Sequence, residues 1–474
     1  MLKYRKTKII CTLGPASETK EVIVKLAEAG MTIVRLNFSH GNHEEHLARM
    51  KLIREINKEY DFNIGILLDT KGPEIRCGVM ENDSLTFKKG DIVKVVAKDV
   101  VGNNERFHID CPQMFDDVQV GNVLLIDDGK MRLTITEIQK GELTCRIENP
   151  GVIKTKKGVN LPNVRLSMPF ISEKDEADLR FGCKQDVDFI AASFVRRAED
   201  VLAIRSILQE EGKPKINIIS KIENQEGYDN LIEILEVSDG VMVARGDLGV
   251  EISTQFVPIY QKKIIAKANE MGKPVITATH MLESMMGNPR PTRAEASDVA
   301  NAILDGSDGI MLSGESAAGL YPVESVQTMD TIARAIEEII PYQQNLEQAK
   351  KSSAATIQDT IGISVADAAL NLSDIAAVVA FTQGGSTARR ISKFRPRVPI
   401  IAATFTKSVQ RKLNSYWGVY PIISPAQNEL TNDDELASDI AKKFGIAAGR
   451  QVVITAGYPT GEGTANMMKI ITVK

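Results

Sequence analysis

Through roughly the first 340 residues, short apolar runs alternate with stretches whose apolar positions recur at helical spacing. The runs are Lys8–Thr12, Ile33–Leu36, Ile64–Asp69, Val187–Ala192, Ile216–Ser220, Gly240–Ala244, Val275–Thr279 and Gly309–Leu312. Each is followed by an amphipathic stretch or a break. Eight such βα units predict an α/β fold of the (β/α)8 TIM-barrel type.

One connection breaks the period. Between the third strand, ending near Asp69, and the helical stretch SEKDEADLRFG lie about a hundred residues of short strands and turns. They include DIVKVVA, NVLLIDDGKMRLTITEI, GELTCRIE and the basic turn KTKKGVNLP. An all-β lid domain inserted after the third strand fits this pattern, because long loops at that end of a barrel commonly cover its active site. Past Ile340 the polar stretch QNLEQAKKSSAATIQD reads as a linker or an exposed helical entry. Strands then recur at Ala376–Phe381, Pro399–Thr404, Val419–Ile423, Gln451–Ala456 and Lys469–Val473, which predicts a separate C-terminal α/β domain. The expected division is a barrel over 1–71 and 169–344, a β-rich lid over 72–168 and the C-terminal domain over 345–474.

Composition agrees with a globular chain: 43% of residues are hydrophobic, 25% charged and 5% aromatic. The net charge of −4 supplies no global basic field, so neither nucleic acid nor an anionic membrane is an expected partner. The apolar run Ile375–Phe381 is far shorter than the roughly 20 residues that span a bilayer. At the N-terminus, Ile9–Cys11 is too short an apolar run for a signal peptide. Five cysteines at 11, 77, 111, 145 and 183 form no CxxC, which argues against a disulfide framework or a zinc site. Reduced thiols and a cytoplasmic location are expected.

Barrel chemistry sits at the C-terminal ends of the strands. The second strand ends VRLNFSHG, and alternation points Arg35, Asn37 and Ser39 the same way. Asp69 and Thr70 close the third. The fifth ends ISKIEN, with Lys221 and Glu223 on one face, the sixth offers Arg245, Gly246 and Asp247, and the seventh offers Thr279. Each has a plain alternative. Strand-end Asp and Asn start turns or cap helices, a rim lysine can snorkel, and Arg35 can serve a structural ion pair. Together, acids on adjacent strands, an inward lysine and further positive groups describe a metal-assisted site for an anionic substrate.

These residues lie in segments that resemble the pyruvate kinases. KIICTLGPAS, VRLNFSHG, LLDTKGPEIR, KKGVNLP, IISKIEN, ARGDLGVE and TATHMLESM are similar to that family's successive motifs, in its order, and LSGESAAGLYPVE to its segment at the eighth strand. The resemblance covers essentially the whole chain and is of the bacterial type without a further C-terminal domain. It implies transfer of the phosphoryl group of phosphoenolpyruvate to ADP, giving pyruvate and ATP, the last step of glycolysis. It also implies Mg²⁺ (or Mn²⁺) and K⁺ as cofactors and a homotetramer. Glu223 and Asp247 match the Mg²⁺ ligands, and hard carboxylate oxygens suit that ion. Lys221 matches the lysine that stabilises the transferring phosphoryl group, and Arg35 an arginine on the substrate phosphate. Gly246, Asp247 and Thr279 match contacts to the substrate's carboxylate end, with Thr279 near the site of enolate protonation. Asn37, Ser39, Asp69 and Thr70 match the K⁺ site. Arg76 and Lys157 match nucleotide-phosphate contacts, and Asn37 and His40 lie in the segment near the nucleotide. Asp127 and Asp128 either approach a nucleotide-bound metal or form a simple turn.

One position departs from the family pattern: His280 stands where Gln usually follows Thr279. A neutral imidazole can replace an amide in hydrogen bonding, and it titrates near neutrality. In the C-terminal domain, TQGGSTARRISKFRP resembles the family's effector loop. Thr382, Gly384, Gly385, Ser386 and Thr387 would present hydroxyls and N–H groups to a phosphorylated allosteric effector, with Arg389 and Arg390 one turn further in and the loop Gly457–Thr464 closing over the site. The plain alternative is a capped glycine turn. Two other functions remain in view: a Mg²⁺-dependent barrel lyase or mutase acting on a pyruvate enolate, and a non-catalytic sugar-phosphate sensor. The lid argues against the first and the intact Lys221, Glu223, Asp247 and Thr279 against the second.

Overall fold

The computed structural model describes residues 4–424, 433–457 and 465–474. Eight parallel strands close into a barrel: Lys8–Thr12, Ile33–Asn37, Gly65–Asp69, Phe189–Ala192, Asn217–Ile222, Gly240–Ala244, Val275–Ala278 and Gly309–Leu312. Consecutive strands are neighbours, and the eighth closes on the first. The alternation of side chains divides the apolar residues into two layers. Ile10, Ile33, Leu67, Phe189, Ile219, Met242, Ile276 and Met311 fill the barrel's interior. Ile9, Val34, Leu68, Ile190, Ile218, Val243 and Ile310 pack outward against the helices. Continuing the inward rows by two residues reaches Thr12, Arg35, Asp69 and Lys221, so the packing that fills the barrel also aims these groups at its C-terminal mouth.

Several strand ends differ from the sequence reading. The fifth runs to Ile222 rather than Ser220, which carries Lys221 inside the sheet. The seventh stops at Ala278, because Thr279 and His280 adopt φ +69° and +52°, outside any strand. The last strand is Ala465–Thr472, earlier and longer than expected. The polar stretch after Ile340 is helical on both sides of 353–356, as Tyr342–Ser352 and Ile357–Asn371, so the 344/345 division falls inside a helix.

The insertion forms a seven-stranded and a two-stranded sheet around its own apolar core. Within Met131–Gln139, Met131, Leu133 and Ile135 point into that core. At its return, Ser172 caps the helix Glu173–Lys184 through a capping box with Asp175. The other Asp175 oxygen accepts the N–H of Gly72 at 3.1 Å, so one carboxylate fastens both roots of the insertion. Gly72 has φ +73°, and a Cβ there would lie 2.8 Å from Ser193 Cβ, so this tight root requires glycine.

The C-terminal domain is a five-stranded sheet, parallel except for its last strand. Val378 and Ala380 pack on one face and Ala377, Val379 and Phe381 on the other, which is why that strand reads as an unbroken apolar run. Among the described residues, no helix is long and apolar enough to cross a membrane.

Candidate active site

At the barrel's mouth, Lys221 is the centre of a compact charge cluster. Its ammonium lies 2.8 Å from Ser193 Oγ, 2.9 Å from Glu223 Oε1 and 3.2 Å from Asp69 Oδ1. Asp69 Oδ1 also accepts from Ser193 Oγ, and its Oδ2 accepts from Arg35 Nε at 2.5 Å. Arg35 Nη1 donates to Thr12 Oγ1 at 3.0 Å. Burial opposes the Lys221 charge, but Asp69 and Glu223 outweigh it and the lysine pKa is raised. Burial likewise opposes the Asp69 charge, and Arg35 and Lys221 reverse that effect, leaving its pKa lowered.

Glu223 is different. It is 0% exposed, and burial, reinforced by Asp247, pushes its carboxyl up to about 8 against the pull of Lys221. Oε2 accepts the N–H of Phe194 at 2.5 Å, from a residue at φ +55°. Oε1 is buried and engaged only by the ion pair with Lys221 among the described residues. Asp247 stands half-buried on the next wall, in the short helix Arg245–Glu251. No group of three or more His, Cys, Asp and Glu suited to a metal occurs among the described residues. Two carboxylates at the ends of neighbouring strands fit a hard divalent cation that keeps waters and substrate oxygens as its other ligands.

Thr279 occupies a left-handed conformation that β-branched residues avoid, and such outliers cluster at functional sites. Its Oγ1 accepts the Gly246 N–H at 2.7 Å and donates to the Ala278 carbonyl at 2.6 Å. Arg245 sustains this turn rather than facing a substrate. It donates to the Thr279 carbonyl at 2.7 Å and the Ala278 carbonyl at 3.2 Å, and it pairs with Asp298.

Asn37 and Asp69 lie opposite one another on adjacent strands, with Ser39 and Thr70 just beyond. Asn37 Oδ1 accepts the Ser39 N–H at 3.1 Å, and Thr70 Oγ1 accepts the Ser193 N–H at 3.1 Å. This set is all oxygen with one carboxylate, the donor chemistry of a weakly charged cation site.

Where lid meets barrel, a cavity of about 680 Å³ is lined by His40, Arg76, Asp127, Asp128, Lys157 and Asp247, among others. Asn37 lies outside that lining. Lys157 pairs with Asp127 at 2.8 Å, and Arg76 pairs with Glu74 at 2.6 Å. Asp127, Asp128 and Gly129 are successive left-handed residues, so the DDG segment is a turn whose first carboxylate is held by Lys157 and Lys130.

In the C-terminal domain, Gly385 has φ +90° and precedes the helix Ser386–Lys393. Thr382 Oγ1 is buried and has no hydrogen-bond partner among the described residues. Arg390 and Lys393 both pair with the buried Asp359, at 2.5 Å and 3.0 Å, so the Arg390 charge expected to face a ligand is already committed. Of Gly457–Thr464, residues 458–464 lie outside the described residues.

Ser193, Phe194 and Thr12 also belong to the site, though none was singled out from sequence. Ser193 and Phe194 directly follow the fourth strand, as Thr70 follows the third, but neither carries a charge to draw notice.

Comparison with known proteins agrees with this geometry. A pyruvate kinase barrel-domain model matches residues 4–326, and a pyruvate kinase alpha/beta-domain model matches residues 359–471. A pyruvate kinase of Geobacillus stearothermophilus is 52% identical over 470 residues, 98% of this chain and 80% of that one. One from Staphylococcus aureus (strain USA300) is 53% identical over 473 residues, again 98% and 80%. A crystal structure of a pyruvate kinase from Cryptosporidium parvum superposes with a TM-score of 0.94 at 38% identity, covering 99% of this chain and 96% of that one. On these matches, over a barrel with this mouth, the chain belongs to the pyruvate kinase family and is a phosphotransferase.

Proposed function

We propose that the chain transfers the phosphoryl group of phosphoenolpyruvate to ADP, giving pyruvate and ATP, with Mg²⁺ (or Mn²⁺) and K⁺ as its ions. The observation that carries this reading is the buried Lys221 ammonium, held by Asp69, Ser193 and Glu223 beside Arg35. A loose phosphoryl-transfer transition state spreads negative charge over its equatorial oxygens, so positioning and neutralisation do most of the catalysis. Lys221 stays protonated because its carboxylate neighbours outweigh burial, and it is fixed before the charge develops. Arg35 has two nitrogens tied, to Asp69 and Thr12, and keeps Nη2 for a substrate phosphate oxygen.

Glu223 and Asp247 are the residues that would hold the divalent cation, which supplies positive charge to the substrate's oxygens when bound. Asn37, Ser39, Asp69 and Thr70 would hold K⁺. Gly246, Asp247 and Thr279 would seat the carboxylate end, the Thr279 hydroxyl turning its proton from the Ala278 carbonyl to a carboxylate oxygen. Thr279 would lie near the point of proton delivery to the enolate, by its hydroxyl or by a water it orders. Arg76, Lys157 and His40 would meet the nucleotide in the cleft beneath the lid. A nucleotide cleft has no use in a lyase, a mutase or a sensor.

The C-terminal loop Thr382–Thr387 is the proposed site of a phosphorylated effector. The buried Thr382 hydroxyl, without a hydrogen-bond partner among the described residues, favours it over a plain capped turn. With Arg390 committed to Asp359, the loop's N–H groups and hydroxyls would carry the binding. A homotetramer in the cytoplasm completes the proposal. The test is an assay of pyruvate and ATP formation, with Mg²⁺ and K⁺ varied separately and a panel of sugar phosphates and nucleoside monophosphates added. Equal amounts of both products, lost on chelation of divalent cations and lowered without K⁺, are expected. Full activity after chelation would overturn the metal assignment, and unaltered kinetics across the panel would reduce the loop to a capped turn.

A further inference from the structure

A second large cavity, of about 690 Å³, opens at the opposite, N-terminal end of the barrel. One wall comes from the segment before the first strand and from Glu337 and Tyr342; the other belongs to the C-terminal domain, with Leu370, Leu372, Arg397 and Arg450. It shares no lining residue with the catalytic cleft or with the Thr382–Thr387 loop.

Its charges are unbalanced. The Glu337 carboxylate is fully buried and accepts the backbone N–H groups of Lys6, at 2.9 and 2.8 Å, and of Thr7, at 2.7 Å. Glu338, on the same wall, is engaged as well. The Lys6 side chain is 2% exposed, and no described carboxylate lies within ion-pair distance of its ammonium. The ammonium meets the Tyr342 hydroxyl at 3.2 Å and the rings of Tyr342 and Trp417 at 5.4 and 5.5 Å. Arg397 is exposed at the cavity and makes no hydrogen bond or ion pair among the described residues. Arg450 adds a third positive charge, with Nε donating to the Asp374 carbonyl. Burial lowers the Lys6 pKa, Glu337 opposes this and Arg397 adds to it, so the carboxylate on the Lys6 backbone N–H offsets the ammonium only in part. A buried charge that is only partly offset is costly, and a bound anion between Lys6 and Arg397 would complete the offset.

The remaining wall is apolar. Leu370, Leu372 and Pro399 offer a surface for a ligand body, and Tyr342 offers a ring edge beside it. We propose that this cavity binds a small organic anion, its phosphate or carboxylate between Lys6 and Arg397 and its apolar or aromatic body against Leu370, Leu372 and Pro399. Such a ligand touches the barrel and the C-terminal domain at once.

Trp417 makes the test direct, because it is the chain's single tryptophan and lies beside Lys6. Phenyl phosphate and benzoate, as separate arms, are titrated into the full-length protein while Trp417 emission is followed, with ADP present to occupy the catalytic cleft. At least one probe should give a saturable change with a Kd of about 1 mM or tighter. Arg397→Glu should weaken it by at least about tenfold, and Arg397→Lys should restore it. Because Arg397 is exposed and makes no ion pair among the described residues, neither substitution disturbs packing. Lys6→Met should weaken the same probe. Saturation by phenyl phosphate alone identifies a phosphate head, and by benzoate alone a carboxylate. Absence of saturation by both probes, or equal binding by parent and Arg397→Glu, would overturn the proposal.

Discussion

Lys221 and Glu223 stand two residues apart on one inward row, and their surroundings treat them oppositely. Asp69 does most to hold the lysine charged, whereas burial raises the Glu223 carboxyl to about 8, well above its ordinary 4.5. A raised carboxyl pKa means that the folded protein retains a proton through the window from 4.5 to about 8 that the unfolded chain has released. This group's contribution to stability therefore falls as pH rises through that window. A cation bound to Glu223 must displace the proton, so Mg²⁺ affinity should rise by up to about tenfold per pH unit below about 8 and level off above. Titrating Mg²⁺ across that range measures it; a flat profile in the parent would show that Glu223 is not the proton-linked ligand, and Glu223→Gln should be flat. Alternation along ISKIEN made both residues legible in the sequence. Ser193 and Phe194 were not, since a neutral hydroxyl and a backbone N–H leave no charge pattern. Nor was the Arg245 role, because a strand-end arginine can turn toward substrate or toward carbonyls with equal ease. The left-handed turn at Thr279 contradicts the preference of its residue type, and only Arg245 and the Gly246 N–H explain how it is held.

Among elements, the lid shows how a β insertion is hinged. Both roots are fastened at Asp175, so its position over the barrel depends on contacts further out. One is the Asn160 amide donating to Glu251 at 2.8 Å; another is Arg196, which donates to the carbonyls of Leu166 and Met168. Asn160→Ala should loosen the lid at a cost of about 1 kcal/mol or less to overall stability. Hydrogen exchange of the lid strands should speed up relative to the parent, and the KM for ADP should rise while the Tm stays nearly constant. Unchanged exchange and KM would place the restraint elsewhere. The lid's existence was readable because period-two alternation replaces the βα rhythm. Its orientation was not, since Asn160 and Glu251 are partners only in space. Strand ends moved for similar reasons: apolar content locates a strand, but its last residue is set by tertiary bonds such as those of Thr279.

Across the whole molecule, the C-terminal domain is clamped to the barrel's N-terminal face by a repeated device. Asp188 and Asp308 each directly precede a barrel strand, and each accepts an amide from a neighbouring strand, Ile66 and Val275, at 3.0 Å. Each also pairs with an arginine of the C-terminal domain: Arg411 at 2.8 Å and Arg395 at 3.0 Å. Asp239 occupies the equivalent place before the sixth strand but pairs within the barrel, with Arg205. Asp188 is 1% exposed, so Arg411→Ala strands a buried carboxylate and should cost about 3 kcal/mol. Urea unfolding measures this, and a loss below about 0.5 kcal/mol would show that the pair does not hold the domains together. The recurrence of Asp before these strands is visible in the sequence; its arginines, more than eighty residues away for Asp308 and over two hundred for Asp188, are not.

The role proposed for Lys221, stabilising the transferring phosphoryl group, is tested by the kcat of Lys221→Met in an assay of pyruvate and ATP formation from phosphoenolpyruvate and ADP, beside circular dichroism to confirm the fold. Removal of the charge that meets the transition state should lower kcat by at least about 10²-fold with the fold retained. A folded variant that keeps more than about a tenth of the parent kcat, a loss of only about 1.4 kcal/mol, would contradict the assignment.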